Sequence, residues 1–197
     1  NTNPKMTQWL PAMKEWKIWA SLDGIGDTTE YIRYPSNFNK VKENLQYYKR
    51  MLDEHGNGSI IFSPAIQLLN IHQLDDMLKW FIDFSDGAWE DTISISWMAQ
   101  VWYPRICNYD TAPREYRLMV ADKLEKSIDY FAKYDSISTF YNKQIENLRT
   151  DQLDKDIEID LQKSFIRYND TQDKHRKGKT WRELLPKLES VLTNSLS

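Results

Sequence analysis

The chain has 197 residues, 41% of them hydrophobic, with eight Trp, eleven Tyr and a net charge of −3. This composition supports a packed core and excludes a mainly disordered chain. Acidic and basic residues are mixed along the sequence, so we expect no nucleic-acid partner. The single cysteine, Cys107, excludes an internal disulfide and any multi-cysteine metal or iron–sulfur site built from this chain alone.

Membrane association is not expected either. No apolar run reaches the roughly 18 residues that a membrane span needs, and the N-terminus lacks a signal-peptide pattern. These features predict a cytoplasmic location and no membrane partner. The first residue is Asn1 rather than Met, which favours a truncated or processed chain.

The first half of the chain alternates between strand and helix patterns. Strands are predicted over residues 15–21, 59–69 and 92–101, each rich in apolar or β-branched residues. Helices are predicted after Asn37, which can cap the first of them, and after residue 74, because apolar residues recur there every three or four positions. The crossover lengths favour parallel pairing in βαβαβ order, and hence an α/β fold.

The second half reads as helices only. Helical patterns cover residues 113–134, 138–148 and 153–168, and the spacing of Thr180 and Glu183 is that of a capping box at the start of a last helix. We therefore divide the chain into residues 1–104, which carry the strands, and a helical tail, residues 105–197. A three-stranded parallel sheet leaves edges that the tail, a partner chain or missing strands must cover.

Polar residues at the predicted strand ends are the candidate site. Ser21 and Asp23 follow the first strand, where they could hold a ribose or a carboxylate, although Asp-Gly is also a common turn. Arg33 could clamp a carboxylate or phosphate, or pair with Glu30 on the surface. Gln67 and Asn70 end the second strand, and their amides either contact a ligand or satisfy the loop.

Other chemistry is not indicated by the residues alone. The three histidines, His55, His72 and His175, show no metal-ligand spacing, and no phosphate-loop, dinucleotide-binding or nucleophile-elbow motif is present. We expect Cys107 to be an inert thiol.

Two segments resemble radical SAM enzymes of the SPASM/twitch group, a type often met in bacteria and phage. The first is Ser21-Leu-Asp-Gly-Ile-Gly-Asp followed by Glu30-Tyr-Ile-Arg-Tyr-Pro-Ser and a helix with a Phe, Val, Asn pattern. The second is the tail Tyr168-Asn-Asp, then Arg176-Lys-Gly-Lys-Thr-Trp-Arg and Leu-Pro186. Asn70-Ile and the Leu-rich helix after it agree with this resemblance, which covers nearly the whole chain.

The resemblance implies a partial TIM-type barrel with SAM across the carboxyl ends of its strands. Residues 15–21, 59–69 and 92–101 would be its fourth, fifth and sixth strands, so the chain would be a half barrel with about three parallel strands. Asn3 resembles the tip of the third strand, and with Ser21 it would approach the ribose or methionine of SAM. Residues 67–70 would lie near the adenine. The helical tail would hold what remains of the twitch domain.

The CxxxCxxC loop that holds the [4Fe–4S] cluster of this family is absent, and so is its GGE motif. The resemblance thus implies that SAM and the cluster belong to a full-length parent protein acting on an unknown substrate. This chain alone would hold neither cofactor and would be inactive. In such a half, adjacent strands would be parallel in chain order, and the edge of the first strand would be open or packed on a second copy.

Two alternatives stay open. The chain could be a non-catalytic α/β interaction module that forms a homodimer, or binds another partner, through an exposed sheet edge. It could also be a small-molecule enzyme that uses Asp23, Glu30 and Arg33, although no pairing of a base with a nucleophile supports that hypothesis.

Overall fold

The computed structural model describes residues 7–96 and 98–196. The fold is α/β, with a three-stranded parallel sheet in the order β1-β2-β4 and a separate parallel pair, β3 and β5. The strands are β1 (Trp16–Ala20), β2 (Gly58–Phe62), β3 (Ala65–Ile66), β4 (Ile93–Ile95) and β5 (Ala99–Gln100). The predicted parallel pairing of neighbouring strands in chain order is confirmed.

Helices form the rest of the regular structure. They are α1 (Asp27–Ile32), α2 (Phe38–His55), α3 (Leu74–Ser85), α4 (Arg114–Glu125), α5 (Ile128–Phe131), α6 (Asp135–Arg149), α7 (Lys155–Asp173), α8 (Trp181–Leu184) and α9 (Pro186–Leu196). Short 3₁₀ turns lie at Leu10–Ala12, Ile71–Gln73, Arg105–Cys107 and Tyr109–Thr111. The helical second half agrees with the sequence pattern. Within the described residues, no helix is long and apolar enough to cross a bilayer.

The second and third predicted strands are each interrupted. Pro64 has no N–H to donate, so regular pairing stops after Phe62 and resumes at Ala65. The bonds that bracket this gap run from Ser96 N to Phe62 O (2.7 Å) and from Val101 N to Ile66 O (2.8 Å). The predictions of single strands over 59–69 and 92–101 are therefore wrong in extent, although their direction is right.

Three helix predictions need similar correction. Residues 27–32, which lie before the first helix predicted from the sequence, form α1. The helix predicted through residue 134 stops at Glu125, where buried Ser127 accepts a hydrogen bond from Lys79 Nζ of α3 (2.7 Å). The last helix is split at Pro186, which lacks the N–H that a continuous helix would use.

Local capping follows the sequence closely. Asn37 Oδ1 accepts a hydrogen bond from Lys40 N (2.9 Å) at the start of α2, and Gly56 ends that helix in the left-handed region, with φ of 64°. Thr180 and Glu183 form the predicted capping box.

Apolar packing concentrates on one face of the main sheet. Ile60, Phe62 and Ile93 are fully buried there, and the Phe62 ring stacks on Phe81 of α3 with 4.1 Å between centroids. On the other face, the Trp19 side chain is 61% exposed and Lys17 is exposed as well. Helices thus cover one side of the sheet and leave much of the other open.

Strand β1 lies at an edge of this sheet. Trp16 N donates to Asn57 O (3.1 Å) and Ser63 N donates to Ala20 O (3.0 Å), so these alternate residues of β1 face β2. Because successive backbone groups of a strand alternate in direction, the N–H and C=O groups of Lys17 and Trp19 point away from β2. Among the described residues no further strand pairs with them, and we call this the open edge.

Candidate functional site

The ends of β1 and β3 bring predicted site residues together. Asp23 is 4% exposed. Its Oδ1 accepts a hydrogen bond from Ala65 N (2.8 Å), and its Oδ2 lies 2.8 Å from Arg33 Nε. Both oxygens therefore hold the loop after β1 against β3 and against the end of α1.

Asn70 completes this connection. Its Nδ2 donates to Asp23 O (2.7 Å) and Ala65 O (2.8 Å), and its Oδ1 accepts from Gln67 N (2.7 Å). With 1% exposure, the Asn70 amide has its partners within the protein. Of the two roles considered for this amide, the structure supports the loop-stabilising one.

The proposed surface pair between Glu30 and Arg33 is wrong. Glu30 Oε1 instead accepts a hydrogen bond from Phe38 N (2.7 Å), at the first residue of α2. Arg33 binds the buried carboxylate of Asp23. A buried carboxylate attracts a guanidinium more strongly than an exposed one does, because water screens it less.

We call the loops that follow β1 and β3, with the predicted site residues on them, the strand rim. Gln67 differs from the other residues of this rim. It is 8% exposed, and within residues 7–96 and 98–196 its side-chain amide makes no hydrogen bond. The side chain lines a cavity of about 110 Å³ together with Cys107, Asn169 and Arg176. Ser21 is exposed just beyond β1. Ser21, Gln67 and the Nη groups of Arg33, whose side chain is 40% exposed, are therefore left for a ligand. Asn3 lies outside the described residues.

The C-terminal tail closes over α1. Arg176 Nη1 donates to Tyr31 O (2.8 Å), and its guanidinium carbon lies 4.6 Å from the centre of the Tyr31 ring. The Tyr31 hydroxyl donates to Asn169 Oδ1 of α7 (3.1 Å). Burial, with the carboxylate of Asp173 nearby, raises the pKa of Tyr31, which keeps the phenol protonated as a donor.

Sequence reasoning did not select Tyr31, Asn169 or Arg176 as site residues. Their signal was present, since all three belong to the two segments that carry the family resemblance. Tyr31 and Asn169, which form a hydrogen bond, are 138 residues apart in the sequence, so the two segments pack against each other across most of the chain.

Metal binding finds no support in the described part of the chain. No group of three or more His, Cys, Asp or Glu side chains is arranged there to hold an ion. Burial raises the pKa of the Cys107 thiol, so the reactive thiolate is disfavoured, as expected for an inert cysteine.

A second cavity lies away from the rim. This groove, of about 780 Å³, runs between α4 and the junction of α8 with α9. His72 lines it, and burial, followed by the charge of Lys123, lowers the pKa of His72 to about 4. The imidazole is therefore neutral at neutral pH, and its Nδ1 is buried without a hydrogen-bond partner in the described chain.

The low pKa of His72 predicts acid sensitivity. Between pH 6.5, its ordinary pKa, and about pH 4 the unfolded chain binds a proton there that the folded chain does not, despite the nearby Asp76 carboxylate. The free energy of unfolding is therefore expected to fall by roughly 3 kcal/mol as the pH drops through this window. Urea unfolding of the wild type and of His72→Gln near neutral pH and in acid measures it. Equal pH dependence of the two proteins would count against this assignment.

Comparison of the chain with known protein families, with curated proteins and with solved structures finds no match. The function of the rim and of the groove therefore has to be inferred from their residues and geometry.

Proposed function

We propose that this chain is the C-terminal half of a radical SAM barrel of the SPASM/twitch group. The observation that carries the proposal is the open side of the parallel sheet. In the part of the chain that the structure describes, helices bury one face and leave much of the other open, and the backbone groups of Lys17 and Trp19 at the β1 edge face away from β2. Parallel barrels place helices on the outside of the sheet and ligands at the carboxyl ends of the strands. A half barrel has the same one-sided covering and one free edge.

The two resemblance segments support the same proposal. Their contact through Tyr31, Asn169 and Arg176 makes the C-terminal tail a support for the rim. In this proposal Asp23 and Asn70 position the loops, because their polar atoms already have partners inside the protein. Arg33 binds Asp23 through Nε only, and its side chain is 40% exposed, so its Nη groups stay accessible to a ligand.

Ser21 and Gln67 would then contact SAM directly, with Asn3 added on the resemblance alone. The Gln67 amide offers one donor and one acceptor, which is the pairing that an adenine edge accepts. Because Gln67 is buried, we expect this hydrogen bond to be stronger than the same bond from an exposed amide.

The [4Fe–4S] cluster does not fit this chain. A cluster needs several thiolates, whereas the sequence has one cysteine, and burial raises the pKa of that thiol. We therefore assign the cluster to residues outside this sequence, and we expect no SAM cleavage by this chain alone.

The test is to read the genomic DNA upstream of the Asn1 codon and to express the chain with the segment encoded there. We expect that segment to encode CxxxCxxC and GGE motifs. After anaerobic reconstitution, the extended protein should show iron–sulfur absorbance and release 5′-deoxyadenosine from SAM, while this chain alone should do neither. An in-frame start codon immediately before Asn1 would contradict the proposal.

Gln67→Leu in the extended protein tests the adenine contact. Loss of one buried hydrogen bond should raise the KM for SAM about tenfold. The control is Gln46→Leu, at an exposed position of α2, which should leave KM unchanged. Equal KM values for the two variants would remove Gln67 from the SAM site.

The open β1 edge also favours a second candidate, an interaction module that forms a homodimer by edge pairing. Lys17→Pro removes an outward N–H and should shift the chain from dimer to monomer in sedimentation experiments, with the fold retained. Ile18→Pro is the matched control, because it removes an N–H that faces β2 and should destabilise the sheet. A wild type that stays monomeric at high concentration would rule this candidate out.

A further inference from the structure

The groove between α4 and the α8–α9 junction has the size and lining of a small-molecule site. Its volume of about 780 Å³ falls in the range of typical ligand cavities. Tyr116 and Val120 form the α4 wall and are each 2% exposed, and Leu184 and Leu185 face them across the groove. The groove is thus a mainly apolar slot on the helical half, separate from the strand rim.

Lys123, one of the lysines that line the groove, stabilises the fold. The Lys123 ammonium donates to His72 O (2.7 Å), Asp75 Oδ1 (2.8 Å) and Asp76 Oδ2 (2.7 Å). All three of its hydrogens therefore have partners, and the contact fixes α4 against the start of α3.

The remaining charges favour an anion. Lys126 and Lys187 line the groove and form no ion pair within residues 7–96 and 98–196. Of the two acidic residues on the groove, Asp122 is paired with Arg149 at 2.7 Å, which leaves Glu115. Two uncommitted ammonium groups thus face one uncommitted carboxylate. His72 adds no charge, because it is neutral at neutral pH.

We propose that this groove binds a single-chain amphiphile with a carboxylate head. The hydrocarbon chain lies along Tyr116, Met119 and Leu184, where burial of each methylene is favourable. The carboxylate lies between the ammonium groups of Lys126 and Lys187. This assignment is independent of the function proposed for the strand rim.

Calorimetric titration of the chain with decanoate, 1-decanol and decyltrimethylammonium tests the proposal. The three probes share a ten-carbon chain, so their differences report the head group. We expect decanoate to bind about tenfold more tightly than decanol, and the cationic probe to bind most weakly. Lys126→Gln and Lys187→Gln should each weaken decanoate binding about threefold and leave decanol binding unchanged.

Two further variants locate the site. Met119→Trp places a larger ring in the groove and should abolish decanoate binding, while Lys163→Gln, at an exposed position of α7, should leave it unchanged. The Lys→Gln variants change surface positions, so they remain informative if the Trp variant unfolds. Equal binding of decanoate and decanol, a preference for the cationic probe, or no binding of decanoate would each overturn the proposal.

Discussion

Replacing Arg117 with Met is expected to lower the free energy of unfolding by roughly 4 kcal/mol. The guanidinium is 2% exposed and donates to Ala112 O (3.1 Å), Leu148 O (3.1 Å) and Thr150 O (2.8 Å). These bonds tie α4 to the end of α6. Met keeps the apolar stem but has no donor. The carbonyl groups of Ala112 and Leu148 therefore lose their partner in a buried setting, where water cannot replace it, and the part-buried Thr150 carbonyl loses its partner as well.

Arg114 provides a matched control for this variant. Both arginines bind the carboxylate of Asp151, but the Arg114 side chain is 54% exposed and the Arg117 side chain 2%. Arg114→Met should therefore change stability far less than Arg117→Met does, since an exposed ion pair contributes little. Urea unfolding of the two variants measures the difference. Equal losses would show that the buried bonds of Arg117 do not stabilise the helical half as argued.

Asn70→Ala is the second large effect that we expect, with a loss of roughly 3 kcal/mol of unfolding free energy. The substitution removes both donors to Asp23 O and Ala65 O and the acceptor for Gln67 N. Because Asn70 is 1% exposed, water has little access to the groups left behind. The loops of the strand rim should loosen together.

Asn142→Ala, at an exposed position of α6, is the control, and its effect should stay within about 0.5 kcal/mol. Urea unfolding measures stability, and amide exchange at Ala65 and Gln67 reports the rim directly. A loss for Asn70→Ala as small as that of the control would mean that the rim does not depend on this side chain.

Local features of the fold could be predicted from the sequence. Asn37 and Thr180 act within their own helix ends, so short-range patterns were sufficient to place them. The breaks at Pro64 and Ser127 were missed for different reasons. A proline interrupts a strand at a point set by pairing with its neighbour, and the Ser127 break involves Lys79, 48 residues away.

The position of the candidate site could be predicted from the sequence, but the roles of its residues could not. Because parallel strands end at a common edge, the polar residues after the predicted strands form one candidate site, and Asp23 and Asn70 are in contact there. Whether their polar atoms were open to a ligand depended on partners such as Ala65, 42 residues from Asp23 in sequence. The groove on the helical half was not predicted from the sequence, because it forms where α4 lies beside the α8–α9 junction. These two segments are far apart in the sequence.

The two proposals assign different functions to two parts of the chain, the strand rim and the groove. The strand rim would complete a cofactor site with residues from outside this sequence, whereas the groove needs no other chain. A variant such as Lys126→Gln should therefore leave any rim function unchanged, and Gln67→Leu should leave decanoate binding unchanged.

Amide hydrogen exchange along β1 tests the half-barrel proposal most directly. Lys17 and Trp19 have outward N–H groups, while those of Ile18 and Ala20 face β2 and serve as internal controls. In this chain alone, Lys17 and Trp19 should exchange rapidly. In the protein extended by its upstream segment, these amides should exchange at least about tenfold more slowly, as expected for newly paired amides. Rapid exchange at both positions in the extended protein would contradict the proposal that further barrel strands pair with this edge.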